Sequence, residues 1–206
     1  KVLVAGPSAQ SISALNGCWS YTWQGKDEQW YPADSKTILQ TITDKLGAGN
    51  VITTTGKGFD NPLNFDAAAL AKAAANVDAI ILCLGENAYA ESPGNIADLA
   101  LDDNQVALAK AATASGKPVI LVLTEGRPRF ISNIEPGMKG ILMAYWSGKK
   151  TGEAVADVLF GDYNPAGRLP VTFYKSVKDL PPFEDYGMEG KTYRYFRGEP
   201  LYPFGY

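Results

Sequence analysis

The run Ala79-Ile80-Ile81-Leu82-Cys83-Leu84, followed at once by Gly85-Glu86-Asn87-Ala88-Tyr89-Ala90-Glu91-Ser92-Pro93-Gly94, decides how this chain is read. An unbroken apolar stretch of strand length suits a β-strand buried on both faces, as in a parallel sheet. The loop after it carries two carboxylates just beyond the strand's carboxyl end. In open parallel sheets ligands settle in the crevice outside those ends, so Glu86 and Glu91 stand where a substrate can reach them. A single carboxylate seldom completes a hydrolytic site.

Similar runs occur at Lys1–Gly6, Val51–Thr55, Pro118–Thr124 and Gly140–Tyr145, with a further candidate at Val171–Tyr174. Helical patterns lie between them. Ser35–Leu46 opens on a hydroxyl that can cap and places Ile38, Leu39, Ile42 and Leu46 on one stripe. Asp66–Asn76 is Ala-rich, Asp102–Ser115 ends at Gly116 ahead of Pro118, and Thr151–Phe160 closes at Gly161. Alternation of strand and helix implies βαβ units. The expected fold is α/β, a three-layer sandwich with a mainly parallel sheet of about six strands flanked by helices. From about residue 161 the chain turns to Pro, Gly and aromatic residues, read as a tail packed on the same domain. No repeat, linker or second core interrupts residues 1–206, which are expected to form one domain.

Composition narrows the chemistry. With 206 residues and 46% hydrophobic content, the chain can bury a sizeable core. A net charge of −3 with no basic run speaks against nucleic acid or an anionic membrane surface as partner. No apolar run approaches the roughly 20 residues of a membrane helix. Lys1-Val2-Leu3-Val4-Ala5 begins directly as a strand with no signal-like segment, which reads as an internal or processed start. Two cysteines, Cys18 and Cys83, suggest neither a disulfide framework nor a zinc site. Without histidine, Ser-His and Cys-His catalysis and the usual transition-metal sites are excluded; no metal or cofactor is expected, and carboxylates remain as acid and base.

A second loop, Gly17-Cys18-Trp19-Ser20-Tyr21-Thr22-Trp23-Gln24-Gly25, follows the first strand and holds aromatics outside any periodic element. An indole or phenol can stack on the apolar face of a sugar ring while Gln24 meets its hydroxyls; the alternative is that these rings pack on the core. For Glu91 the plain alternative is a solvated loop carboxylate. Ser147-Gly148-Lys149-Lys150-Thr151-Gly152 could bind an anion at a helix start or simply begin the helix. Dinucleotide-binding and phosphate-loop glycine patterns are missing.

Taken together, Lys1–Ser8, Gly17–Gly25, Gly85–Leu101 with Gln105, Gly116–Leu123 and above all Gly152–Pro170 (GEAVADVLFGDYNPAGRLP) resemble the C-terminal α/β sandwich domain of glycoside hydrolase family 3, which includes many β-glucosidases. The ending Leu201–Tyr206 is similar to that family's Tyr-Pro-Phe-Gly-Tyr element, after which members continue.

The resemblance implies a retaining β-glycosidase that cleaves terminal β-linked glucose from oligosaccharides or glucosides. It implies a partner, an N-terminal (β/α)8 barrel carrying the aspartate nucleophile, of which this chain contains nothing, so that the chain alone is expected to be inactive. It places the general acid/base on Glu91 and a sugar-stacking tryptophan most simply on Trp19, with Trp23 second. It implies a periplasmic or secreted protein. Two departures from the family pattern stand out: Asn95 follows Pro93-Gly94 where members carry Asp, and Lys149-Lys150-Thr151 replaces Gln-Glu-Gly. A different class of function, a non-catalytic carbohydrate-binding or domain-packing module, needs no acid. A flavodoxin-like nucleotide binder is more remote.

Overall fold

The computed structural model describes residues 1–54, 59 and 65–206. Five parallel strands form one sheet: β1 (Val2–Ala5), β2 (Val51–Thr53), β3 (Ala79–Gly85), β4 (Val119–Thr124) and β5 (Gly140–Met143), in the order β2-β1-β3-β4-β5. The helices are α1 (Ser13–Asn16), α2 (Ile38–Leu46), α3 (Ala67–Ala74), α4 (Asp103–Ala114) and α5 (Thr151–Phe160). Thr55, the expected end of the second strand, lies outside the described residues.

Side chains on a strand alternate between faces, and β3 shows why its apolar run is continuous. Ile80, Leu82 and Leu84 join Leu70 of α3 and Leu108 of α4 in one core; Ile81 and Cys83 join Ile38 and Ile42 of α2 and Val155 of α5 in the other. All of these side chains are buried, and each large aliphatic contributes about 1.5–3 kcal/mol by leaving water. This is the expected three-layer α/β sandwich.

Among the described residues the sheet has five strands, one fewer than the six or so expected. Val171–Tyr174 makes only an isolated antiparallel bridge, Phe173 with Tyr202. Pro170 and Pro203 flank that bridge and lack the N–H groups that a longer ladder needs. The bridge ties the tail to itself, and Phe173 packs inward at 3% exposure. Helix α2 starts later than expected, because Thr37 rather than Ser35 caps it. The Thr37 hydroxyl accepts from the Gln40 N–H and the Gln40 side chain accepts from the Thr37 N–H, a reciprocal capping box. Asp66 caps α3 by accepting from the N–H groups of Ala68 and Ala69. Gly161 closes α5 with φ 80°, the left-handed conformation that favours glycine.

Strand order places the topological switch between β1 and β3, because the chain moves from β1 outward to β2 and then returns to the other side of β1. At that point Gly6, with φ 109°, leaves no room for a side chain: a Cβ there would lie 2.1 Å from the Cys83 carbonyl oxygen. Gly85 meets β4 in the same way, with a Cβ 2.0 Å from the Thr124 carbonyl oxygen. The segments after β1 and β3 thus leave the sheet side by side.

Candidate active site

The loop after β3 is anchored at its root. Gln105 of α4 donates to the Gly85 carbonyl and accepts from the Gly85 N–H, both at 2.9 Å, and is itself held by Asp102. The next residue, Glu86, is 8% exposed and fully engaged. Its carboxylate accepts from the backbone N–H groups of Gly126 and Arg127 at 3.0 and 2.9 Å, and pairs with Arg127 Nη2 at 2.8 Å and Arg129 Nη1 at 3.2 Å. Both carboxylate oxygens are thus taken up by donors of the protein itself, as burial of such a group requires.

Glu91 differs in every respect. It lies at the exposed tip of the loop, and among the described residues no hydrogen bond or ion pair reaches its carboxylate. Its backbone has φ 53° and ψ −142°, a conformation that costs a non-glycine residue on the order of 1–3 kcal/mol. Three contacts impose that geometry. The Gln24 side chain brackets Ala90, donating to its carbonyl at 3.1 Å and accepting from its N–H at 3.0 Å. The Gly94 N–H donates to the Glu91 carbonyl at 2.8 Å in the Ser92–Gly94 turn. Arg127 Nη1 donates to the Gly94 carbonyl at 2.5 Å.

The Gln24 bracket also joins this loop to the aromatic one. Trp19 and Trp23 are 70% and 46% exposed, so neither packs in the core. The Trp19 N–H donates to the Trp23 carbonyl at 3.0 Å, and Trp19 and Tyr21 both have positive φ. Gly25 lets the loop close on itself, since a Cβ there would lie 2.0 Å from the Gly17 carbonyl oxygen. Beneath it, Tyr31 donates to the Gly25 carbonyl at 2.9 Å. Glu28 Oε1 accepts from the N–H groups of Ile12 and Ser13 and from the hydroxyls of Ser11 and Ser13, fixing the start of α1.

Between the two loops and β4 lie further aromatic and charged residues, of which Trp146, Arg127 and Glu125 were not singled out from the sequence. The Tyr89 ring meets Trp146 edge-on at 4.9 Å and carries the Arg127 guanidinium 3.8 Å above its centroid. Burial and the neighbouring Glu86 push the Tyr89 hydroxyl up to about 12. Trp146 is clasped by two glycines, for a Cβ on Gly17 or Gly126 would fall 2.5 or 2.7 Å from its ring. Glu125, fully buried at the end of β4, accepts from the Arg129 N–H at 3.1 Å with one oxygen, while its other oxygen has no partner. Burial, with Glu86 nearby, raises its pKa to about 8.

The turn before α5 is an ordinary helix start. Lys149 pairs with Asp34, Lys150 pairs with Glu153, and the Thr151 hydroxyl donates to the Gly148 carbonyl. Cys18 and Cys83 do not pair with each other. A cavity of about 660 Å³ lies away from these loops, between β5 and the tail, lined by Met143, Arg168, Phe173 and Tyr202 among others; Glu91, Trp19 and Trp23 do not line it.

The chain matches the glycosyl hydrolase family 3 C-terminal domain over residues 1–206. It is 36% identical over 214 aligned positions to a lysosomal beta glucosidase of Dictyostelium discoideum, covering 99% of this chain and 25% of that protein. Over 97 positions, 47% of this chain and 11% of the relative, it is 50% identical to a xylan 1,4-beta-xylosidase of Xylanibacter ruminicola. The beta-glucosidase from Listeria innocua, solved in complex with isofagomine, superposes with a TM-score of 0.78 at 26% identity, covering all of this chain and 29% of that one. The chain thus spans about a quarter of the length of full relatives. Five parallel strands in this order, the two loops at the switch point and a match along the whole chain make it a C-terminal domain of glycoside hydrolase family 3.

Proposed function

We propose that this domain supplies the general acid/base of a retaining β-glycosidase acting on terminal β-linked glucose, with Glu91 as that residue. The observation that carries the reading is the contrast within one loop: Glu86 is consumed by two arginines, whereas Glu91 is free, exposed and held in a strained backbone. Strain maintained by surrounding contacts supports a functional role, since a plain surface residue would relax. Trp19 and Trp23, exposed on a loop tied to Ala90 through Gln24, support a sugar platform beside the acid.

In the proposed reaction an aspartate from the N-terminal barrel attacks the anomeric carbon while Glu91 protonates the departing glycosidic oxygen. Glu91 then takes a proton from the water that releases the sugar. Retention needs the two carboxyls about 5–5.5 Å apart, so the barrel must face the Glu91 tip. An exposed tip with no partner for its carboxylate among the described residues suits half a site completed by a neighbour, and the isolated domain should be inactive. The xylosidase relative makes a terminal xyloside the competing substrate. A periplasmic or secreted location accompanies the proposal, to be tested by fractionation.

In the full-length enzyme, Glu91→Gln should slow glycosides with poor leaving groups by about 10²–10⁴-fold while sparing the first step on activated aryl glycosides. An equal loss on both kinds of substrate removes Glu91 from the role. The same signature from Glu86→Gln would transfer the role to Glu86.

A further inference from the structure

We propose that Arg127 is a positioning residue for the acid/base, fixing the Glu91 carboxyl by clamping its loop on both sides. This rests on the reading of Glu91 given above. The guanidinium never touches the Glu91 carboxylate. It reaches Glu86 before the tip, through Nη2 at 2.8 Å and Nε at 3.2 Å, and the Gly94 carbonyl after it, through Nη1 at 2.5 Å. Its flat face lies 3.8 Å above the Tyr89 ring, two residues before Glu91. Gly94 in turn packs so tightly on that ring that a Cβ there would fall 2.2 Å from Tyr89 Cδ2. One side chain from the β4 loop therefore holds positions 86, 89 and 94, and the strained residue lies inside that span.

The chemistry of the group matters as much as its charge. A guanidinium can bind a carboxylate, a carbonyl and an aromatic face together because its donors lie in one rigid plane; an ammonium can neutralise Glu86 but cannot also stack and reach Gly94. With Arg129 also paired to Glu86, the charge balance at the root does not depend on Arg127 alone. What Arg127 adds is the bridge across the tip. A shift of about 1 Å in a reacting group can cost about 10²-fold in rate, so loosening this bridge should impair proton transfer without abolishing sugar binding.

The test uses the full-length enzyme and a series of aryl β-glucosides of increasing leaving-group pKa. Arg127→Lys should lower kcat/KM about 10- to 100-fold for the poorest leaving groups and less than about 3-fold for the best, with KM little changed. Tyr89→Leu, which removes the ring under the guanidinium without altering charge, should steepen the same dependence more weakly. In a Glu91→Gln background, Arg127→Lys should add no further leaving-group dependence, because a residue acting only through Glu91 has nothing left to position. A uniform loss across the series, or full additivity with Glu91→Gln, overturns the proposal. If Glu91→Gln itself shows no leaving-group dependence, the acid/base assignment has failed instead. Should Arg127→Lys not fold, Tyr89→Leu with the same series decides alone: a flat response rejects the clamp.

Discussion

The root and the tip of the loop after β3 treat the same side chain in opposite ways. At the root, the Glu86 carboxylate is buried and receives two backbone N–H groups and two guanidinium groups. At the tip, Glu91 is exposed and its cost lies in the backbone, not in lost solvation. The difference teaches that buried pairing and solvent exposure are divided along a single loop. One glutamate is spent on rigidity, and that rigidity holds the other in an unfavourable conformation where its carboxyl stays available.

Removing the root should therefore hurt the fold most. Glu86→Ala leaves Arg127 and Arg129 without their buried counter-charge and is expected to destabilise the domain by about 3–5 kcal/mol, read as a lower urea midpoint. A loss within about 0.5 kcal/mol, the range of ordinary surface changes, would mean that root and tip are alike.

Beneath the root, Glu125 gives a pH-dependent version of the same comparison. Burial raises its pKa to about 8, so the folded protein keeps a proton that the unfolded chain gives up near the ordinary carboxyl value of 4.5. Between those values the native state binds more protons. The stability contributed is therefore fully present below about pH 4.5 and is lost as the pH rises through about 8, a change of a few kcal/mol. Glu125→Gln, which cannot ionise, should flatten that slope in thermal melts taken from pH 5 to 8.5. An unchanged slope would show that Glu125 ionises normally despite Glu86, Arg129 and Tyr145 around it.

At the tip the sign reverses. Glu91→Gly replaces a strained residue with the one that tolerates positive φ and should raise stability by about 1 kcal/mol even as it removes the proposed acid. A destabilised Glu91→Gly would show that the glutamate side chain supports the fold and would erase the contrast.

Much of the scaffold was legible because it follows from periodicity. The continuous apolar run of β3 marked a strand covered on both faces, and Gly161 marked the end of α5 by capping chemistry. Thr37 as the cap of α2 was also readable, since Gln40 stands three residues later in the capping-box spacing; Ser35 was merely the first hydroxyl. The sixth strand misled because Val171–Tyr174 has strand-like residues while its flanking prolines limit pairing to one bridge. The site was legible only as a location. Gln24 bonds to Ala90 across 66 positions and Arg127 to Glu86 across 41, and such polar pairs follow no period. For the same reason no pattern in the residues separated Glu86 from Glu91, and only the family resemblance favoured Glu91: their structural difference is made by arginines on another loop.

The Gln24 amide that brackets Ala90 has a consequence for redesign. A graft of the aromatic segment from a relative that lacks this amide would remove both bonds to Ala90 and so loosen the neighbouring loop as well. The two segments are best exchanged as a pair, with Gln24 and Ala90 treated as one joint.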